Sequence, residues 1–354
     1  MKKLVSLVLA VCMAVGLAGC GAASGSSSSA ASSASQASSS QSEAVSSAAP
    51  SEPAAEKTDF VIAGMKGPTT MGMVKLMSDA EAGTTRHNYQ VDMYATAQEI
   101  LPLMVKGEID VAMLPANVAS NLYNQTEGKV QVAAINTLGV LYVVETGDTI
   151  HSVADLKGKT IYSTGKNNTP EYTLNYILSQ NGIDPATDVT IEYKSEATEV
   201  TAMLAEAGEG AVAVLPQPYV TIASTQNENL RVALDLTEEW DKVNAESTLV
   251  TGVLVVNSDF AKENEAAFAE FLEDYEASIE YVNANVAEAA ELVANYGIVP
   301  KAPVAEKALP ACNIVYIAGE EMKADLQGYL QVLYDQNPDS VGGALPGDDF
   351  YYGA

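Results

Sequence analysis

Basic residues are scarce in this chain: 18 Lys and Arg stand against 46 Asp and Glu, a formal charge of −28. That excludes a basic patch for nucleic acid or an anionic membrane surface and leaves a solvated acidic exterior. Cysteine is nearly absent. Cys12 lies in an N-terminal apolar run and Cys20 just after it, so the body keeps only Cys312. A disulfide framework and a cysteine metal site are thereby excluded in a monomer, the expected state. His87 and His151 are the only histidines, each in a polar loop without a second ligand at metal spacing. No metal and no cofactor are expected. No Gly-x-Ser-x-Gly elbow occurs, and no carboxylate pair is singled out as acid and base, so no catalytic residue is assigned.

Long apolar runs are also missing past the N-terminus. There, Lys2 and Lys3 precede Leu4–Leu17, a stretch shorter than the roughly 20 residues of a spanning helix. Residues 1–19 therefore read as a signal peptide. Its ending, Leu17-Ala18-Gly19-Cys20, resembles a bacterial lipobox, which implies cleavage before Cys20 and lipidation of its thiol. The protein would then be anchored to the outer face of the cell membrane rather than spanning it. Residues 20–57 are dominated by Ser and Ala and lack apolar periodicity, so they read as a disordered tether. A coil of that length spans roughly 30–35 Å.

From residue 58 onward, short β-branched runs alternate with amphipathic stretches. Strands are expected at Asp59–Ala63, Tyr89–Met93, Val111–Met113, Val130–Asn136, Leu141–Val144, Thr160–Ser163, Val189–Tyr193, Ala211–Leu215 and Val253–Asn257. Helices are expected at Thr70–Ala82, Ala97–Lys106, Pro115–Asn124, Pro170–Gln180, Glu196–Glu206 and Gln217–Ser224, with a long helical segment from Phe260 to Tyr296. The alternation predicts an α/β fold of two doubly wound lobes with mostly parallel sheets. Residues 58–144 and 247–354 form lobe 1, and residues 145–246 form lobe 2, inserted into it. Two crossings make a two-strand hinge, and a ligand is expected in the cleft beyond the strand ends.

The stretch Gly64-Met65-Lys66-Gly67-Pro68-Thr69-Thr70-Met71-Gly72 follows the first strand. It is not a P-loop: Lys66 precedes Gly67, and Pro68 removes a backbone donor. A helix starting at Thr69 or Thr70 still turns unpaired N–H groups toward the cleft, although the threonines equally suit capping their own helix. Lobe 2 repeats the arrangement in Thr164-Gly165-Lys166-Asn167-Asn168-Thr169-Pro170. Each turn carries one lysine, Lys66 and Lys166, and each lysine equally suits a solvated surface. The predicted ligand-binding set is Lys66, Gly67, Pro68, Thr69, Thr70, Tyr94, Thr96, Asn117, Tyr142, Lys166, Asn167, Asn168, Thr169, Gln217, Tyr219 and Thr251.

Several segments carry a family resemblance. They are Lys106-Gly107-Glu108-Ile109-Asp110-Val111-Ala112, Asp155-Leu156-Lys157-Gly158-Lys159-Thr160-Ile161, Asn181-Gly182-Ile183-Asp184-Pro185 and Ser340-Val341-Gly342-Gly343-Ala344-Leu345-Pro346. In this order, behind a lipobox and a tether, the chain resembles bacterial ABC-transporter solute-binding lipoproteins. The group is that of nitrate, sulfonate, taurine and thiamine-precursor binders, with the type II periplasmic-binding-protein fold. The resemblance implies a non-enzymatic receptor that hands a small polar solute, anionic or pyrimidine-like, to a membrane permease. Two alternatives stay open: an enzyme on the same fold related to thiamine-pyrimidine synthesis, and a sensing domain for a membrane receptor. Many members carry a Glu-Pro pair where this chain reads Leu215-Pro216-Gln217-Pro218, a departure that disfavours a cationic ligand unless Glu171 restores the charge.

Overall fold

Short β-branched runs closed by proline or by a polar turn become strands, and the amphipathic stretches between them become helices. The computed structural model describes residues 57–354; the signal segment, Cys20 and the tether to residue 56 lie outside the described residues. The first lobe opens with β1 (Asp59–Met65), α1 (Pro68–Met71), α2 (Val74–Glu81) and β2 (Asn88–Tyr94). It continues through α3 (Ala97–Lys106), β3 (Val111–Pro115), α4 (Ala116–Gln125) and β4 (Val130–Leu138). The chain then crosses into β5 (Leu141–Thr146), β6 (Thr160–Ser163), α5 (Thr169–Gln180), β7 (Thr190–Tyr193) and α6 (Ala197–Ala205). This lobe ends with β8 (Val212–Pro216), α7 (Tyr219–Gln226), β9 (Leu230–Asp235) and α8 (Leu236–Val243). The return runs through β10 (Val250–Asn257), α9 (Ser258–Glu263), α10 (Glu265–Ala284), α11 (Val286–Asn295), α12 (Ala302–Ala308), β11 (Ile314–Ile317) and α13 (Gly319–Gln336). No helix among the described residues is long and apolar enough to cross a membrane.

Two sheets result, one per lobe. Their strand orders are β11-β4-β10-β3-β1-β2 and β7-β6-β8-β5-β9. β1 pairs in parallel with β2 and β3, and β6 does so with β7 and β8. The strands at the crossings run the other way: β10 is antiparallel to β3 and β4, and β5 to β8 and β9. The sheets are thus mixed rather than mostly parallel, because a strand entering from the other lobe arrives from the opposite end. Expected Thr70–Ala82 is split into α1 and α2 around Gly72 and Met73, glycine being a poor helix former. β9, β11, α8, α12 and α13 have no counterpart among the expected elements.

Each lobe has an apolar core between sheet and helices. In the first, Phe60 packs on Phe271, Tyr89 and Phe260 with ring centroids 5.0–5.2 Å apart. In the second, fully buried Glu145 of β5 accepts from the N–H groups of Thr149 and Ile150 and pairs with Arg231 of β9. Burial alone would raise the Glu145 pKa, but those hydrogen bonds and the guanidinium hold it below its usual value of 4.5. α13 spans both lobes. Its Tyr329 packs 5.8 Å from Trp240 of α8, and Asp325 accepts from the Thr248 hydroxyl at 2.8 Å.

Two glycines set how closely the α1 turn sits on the first sheet. A Cβ on Gly252 of β10 would collide with Thr69 Cγ2 and stand 2.7 Å from Asn136 Oδ1. One on Gly64 of β1 would fall 2.8 Å from Thr70 Cγ2 and 2.9 Å from Met93 Sδ. Gly252→Ala and Gly64→Ala should each cost about 1–3 kcal/mol of unfolding free energy by overpacking. Denaturant unfolding of the full chain measures this, and unchanged midpoints would refute the close-approach account. Glu145 contributes stability above pH 4.5 that fades as pH falls through its lower folded value. The stability gap between wild type and Glu145→Gln should therefore shrink on acidification, and a gap independent of pH down to acid unfolding would exclude this role.

Candidate functional site

Strand ends from both lobes converge on one cavity of about 220 Å³. From the first lobe come Met65, Lys66, Gly67, Pro68 and Thr69 after β1, Pro115 ending β3, and Thr251 of β10. Val140 and Leu141 line it at the first crossing. The inserted lobe supplies Asn168, Thr169 and Pro170 opening α5, Pro216 and Gln217 after β8, and Tyr219 opening α7.

Backbone contacts hold these groups. The Lys66 N–H donates to Tyr94 O at 3.2 Å, tying the loop to the end of β2. The Gln217 N–H donates to Val140 O at 2.9 Å, and its Oε1 accepts from the Thr221 N–H and hydroxyl. Thr221 thereby occupies the acceptor end of this buried amide and leaves Nε2 as the donor for a ligand. Thr251 Oγ1 lies shielded from solvent and makes no hydrogen bond within the protein. Thr169 donates across the cleft to Asn117 Oδ1 at 3.4 Å. Burial first, and then the charge of Glu196, raise the Tyr219 phenol pKa, so the ring enters as a neutral donor.

The walls are largely apolar, with four prolines beside Met65, Val140 and Leu141. Lys66 is the one charged lining residue, and no carboxylate lines the cavity although the chain has 46 acidic residues. The helix ends contribute less than their sequence implies. α1 has only four residues, Pro68 carries no N–H, and the Thr70 N–H goes to Gly67 O. In α5 the Thr169 N–H is taken by Asn168 Oδ1, Pro170 has none, and those of Glu171 and Tyr172 go to Asn168 O.

Of the sequence-predicted residues, Lys66, Gly67, Pro68, Thr69, Asn168, Thr169, Gln217, Tyr219 and Thr251 come together here. The others lie elsewhere. Thr70 is fully buried beneath the loop against Gly64. Tyr94 contributes its carbonyl to Lys66, and exposed Thr96 caps α3 in a reciprocal box with Glu99. Tyr142 donates its hydroxyl to Ala311 O at 3.1 Å, tying β5 to the first lobe. Lys166 is exposed, 5.9 Å over the Tyr193 ring, and Asn167, at φ 60°, donates its N–H to Glu171. Asn117 is buried against Ser340 O and, with Lys166 and Asn167, lines a neighbouring opening rather than this cavity. Sequence reasoning missed Met65, Val140, Leu141, Pro115, Pro170 and Pro216 as lining. Proline at a strand end was their one legible sign.

Among the described residues no group of three His, Cys, Asp or Glu is placed to hold a metal. The Cys312 thiol is buried in the core, and burial pushes its pKa up to about 12, which makes it inert.

Solved structures share this architecture. An ABC transporter protein from Parabacteroides distasonis is 23% identical over 83% of this chain and 99% of its own, with a TM-score of 0.69. The periplasmic aliphatic sulphonate binding protein of Escherichia coli is 18% identical over 81% of this chain and 96% of its own, at 0.65. The periplasmic nitrate-binding protein of Synechocystis PCC 6803 is 13% identical over 81% of this chain and 84% of its own, at 0.58. At these identities the likeness is one of fold. No curated protein matches the sequence. Residues 73–308 match the family model described as ABC transporter, phosphonate, periplasmic substrate-binding protein. That match covers well over half of the sequence, and with the strand ends of two lobes facing across one cavity, the chain belongs to this family of substrate-binding proteins.

Proposed function

We propose that the protein is a non-catalytic receptor for a small organic anion, of phosphonate or sulfonate type, which it delivers to an ABC permease. The observation that carries this is the lining of the cavity: one cation, Lys66, several neutral donors, and no carboxylate. Such a lining rejects cations, whose charge would be desolvated without a partner, and accepts an anion with an apolar substituent. The family match supports the same ligand class. In this reading the hinge closes because the ligand touches both lobes at once and so binds the closed form more tightly. We assign residues 58–138 and 250–354 to one lobe and residues 141–246 to the other, with β5 in the inserted lobe, following the sheets. A lipid on Cys20 and a tether to residue 57 would keep this receptor beside its permease.

Thermal unfolding of the full chain against phosphonates, sulfonates, nitrate and a pyrimidine tests the ligand class. A phosphonate or sulfonate at a hundredfold excess over its Kd should stabilise the protein by about 2.7 kcal/mol and be recovered unchanged. Stabilisation by the pyrimidine alone would overturn the anion reading, and turnover of any compound would overturn the receptor. For the ligand so found, Lys66→Ala should weaken binding about tenfold to a hundredfold, the loss of one charge-assisted contact. Lys166→Ala should change it by less than about twofold, since exposed charges outside a site are screened. Calorimetric titration separates the two, and equal losses would move the site away from the β1 loop.

A further inference from the structure

Beside the cavity lies a second hollow of about 330 Å³, and Lys66 and Tyr219 line both. Its walls come from both lobes: Ala202 of α6 and Ile222 of α7 on one side, Ile298 and Pro300 between α11 and α12 on the other. α12 packs against α7 near this hollow, so the hollow, like the cavity, lies between the two lobes. Apart from Lys66 its polar groups are neutral, the hydroxyls of Thr198, Thr201 and Tyr219 and the amide of Gln226, and again no carboxylate lines it.

Three observations bear on what fills this space. The inner cavity is smaller than the roughly 300–1,000 Å³ of a site enclosing a drug-sized molecule. Two adjoining hollows free of carboxylates, in a chain with 46 acidic residues, share one character. Their common wall is a lysine and a half-buried tyrosine, the pair that can hold an anionic group and pack on its substituent. We infer that the two hollows form one bipartite site for an elongated organic anion, its charge held at Lys66 and its apolar body lying along Ala202, Ile222 and Ile298. This rests on the proposed anion receptor and narrows its substrate class from small oxyanions to anions carrying an extended aliphatic or aromatic group.

Calorimetric titration of the full chain with methyl-, butyl- and octylphosphonate, and with the matching sulfonates, tests it. Affinity should rise about two- to fourfold per added methylene once the chain outgrows the inner cavity. Ala202 is exposed on α6, so Ala202→Trp fills the outer hollow without touching the core. In that variant octylphosphonate should bind at least about tenfold more weakly, with methylphosphonate unchanged; RT ln 10 puts that loss near 1.4 kcal/mol. Ile298→Asp should act likewise by bringing a carboxylate to the apolar wall, and its unfolding temperature checks that it folds. A flat chain-length series with methylphosphonate still bound overturns the bipartite site and leaves the anion receptor standing. Equal losses for short and long chains in Ala202→Trp also overturn it. No binding by any phosphonate or sulfonate removes both readings together.

Discussion

β4 and β10 lie side by side and antiparallel, from Val130 opposite Asn257 to Leu138 opposite Val250, and both crossings between the lobes leave from that pair. The pairing places the two connections next to each other at one sheet end. A hinge of two adjacent segments permits rotation about one axis and resists twisting, so the strand ends on either side face across a single cleft. Thr251 and Gly252 sit at the start of β10 for this reason, and Val140 and Leu141 follow β4. Gly252 then has a second duty. Its bare backbone admits Thr69, which seats the α1 turn on the sheet and brings Lys66 to the cavity mouth.

The cavity shows how little polarity a binding site of this kind needs. Pro115 and Pro216 end β3 and β8, Pro68 and Pro170 open α1 and α5, and none of the four offers a backbone donor. They make the walls apolar, and a hydrogen bond made to a ligand enclosed between such walls counts for more than one made in water. Helix capping works in the same direction. Asn168 satisfies the first turn of α5 through its own side chain and carbonyl, which spends donors that a bare helix end would offer. What remains are hydroxyls, the amides of Asn168 and Gln217 and one ammonium, contributed by different elements.

Lys66 and Lys166 illustrate the reach of sequence reasoning. Both follow a strand, both sit in a glycine-containing turn, and both precede a helix with proline near its start. In the fold they part. The Lys66 backbone continues the β1–β2 ladder through its hydrogen bond to Tyr94 O and Lys66 lines the cavity, whereas Lys166 extends over the Tyr193 ring beside Glu171. The difference lies in partners contributed by β2 and β7, which no local pattern at either lysine encodes. Tyr142 and Thr96 went the same way, one to an interlobe hydrogen bond and the other to a helix cap.

Sequence by itself determined the alternation of strands and helices, the two-lobed α/β class and the turn after β1 as a jaw of the cleft. These are local properties, carried by hydrophobic period, by glycine and by proline. β9, β11 and α13 escaped because short half-exposed strands and a polar helix carry little periodic signal. Only the tertiary structure decided which side chains meet. Positions near 66, 115, 140, 169, 217 and 251 become neighbours through strand order and the antiparallel crossing. That order depends on non-local pairing between segments far apart in the chain, a free-energy balance that no single stretch of sequence contains.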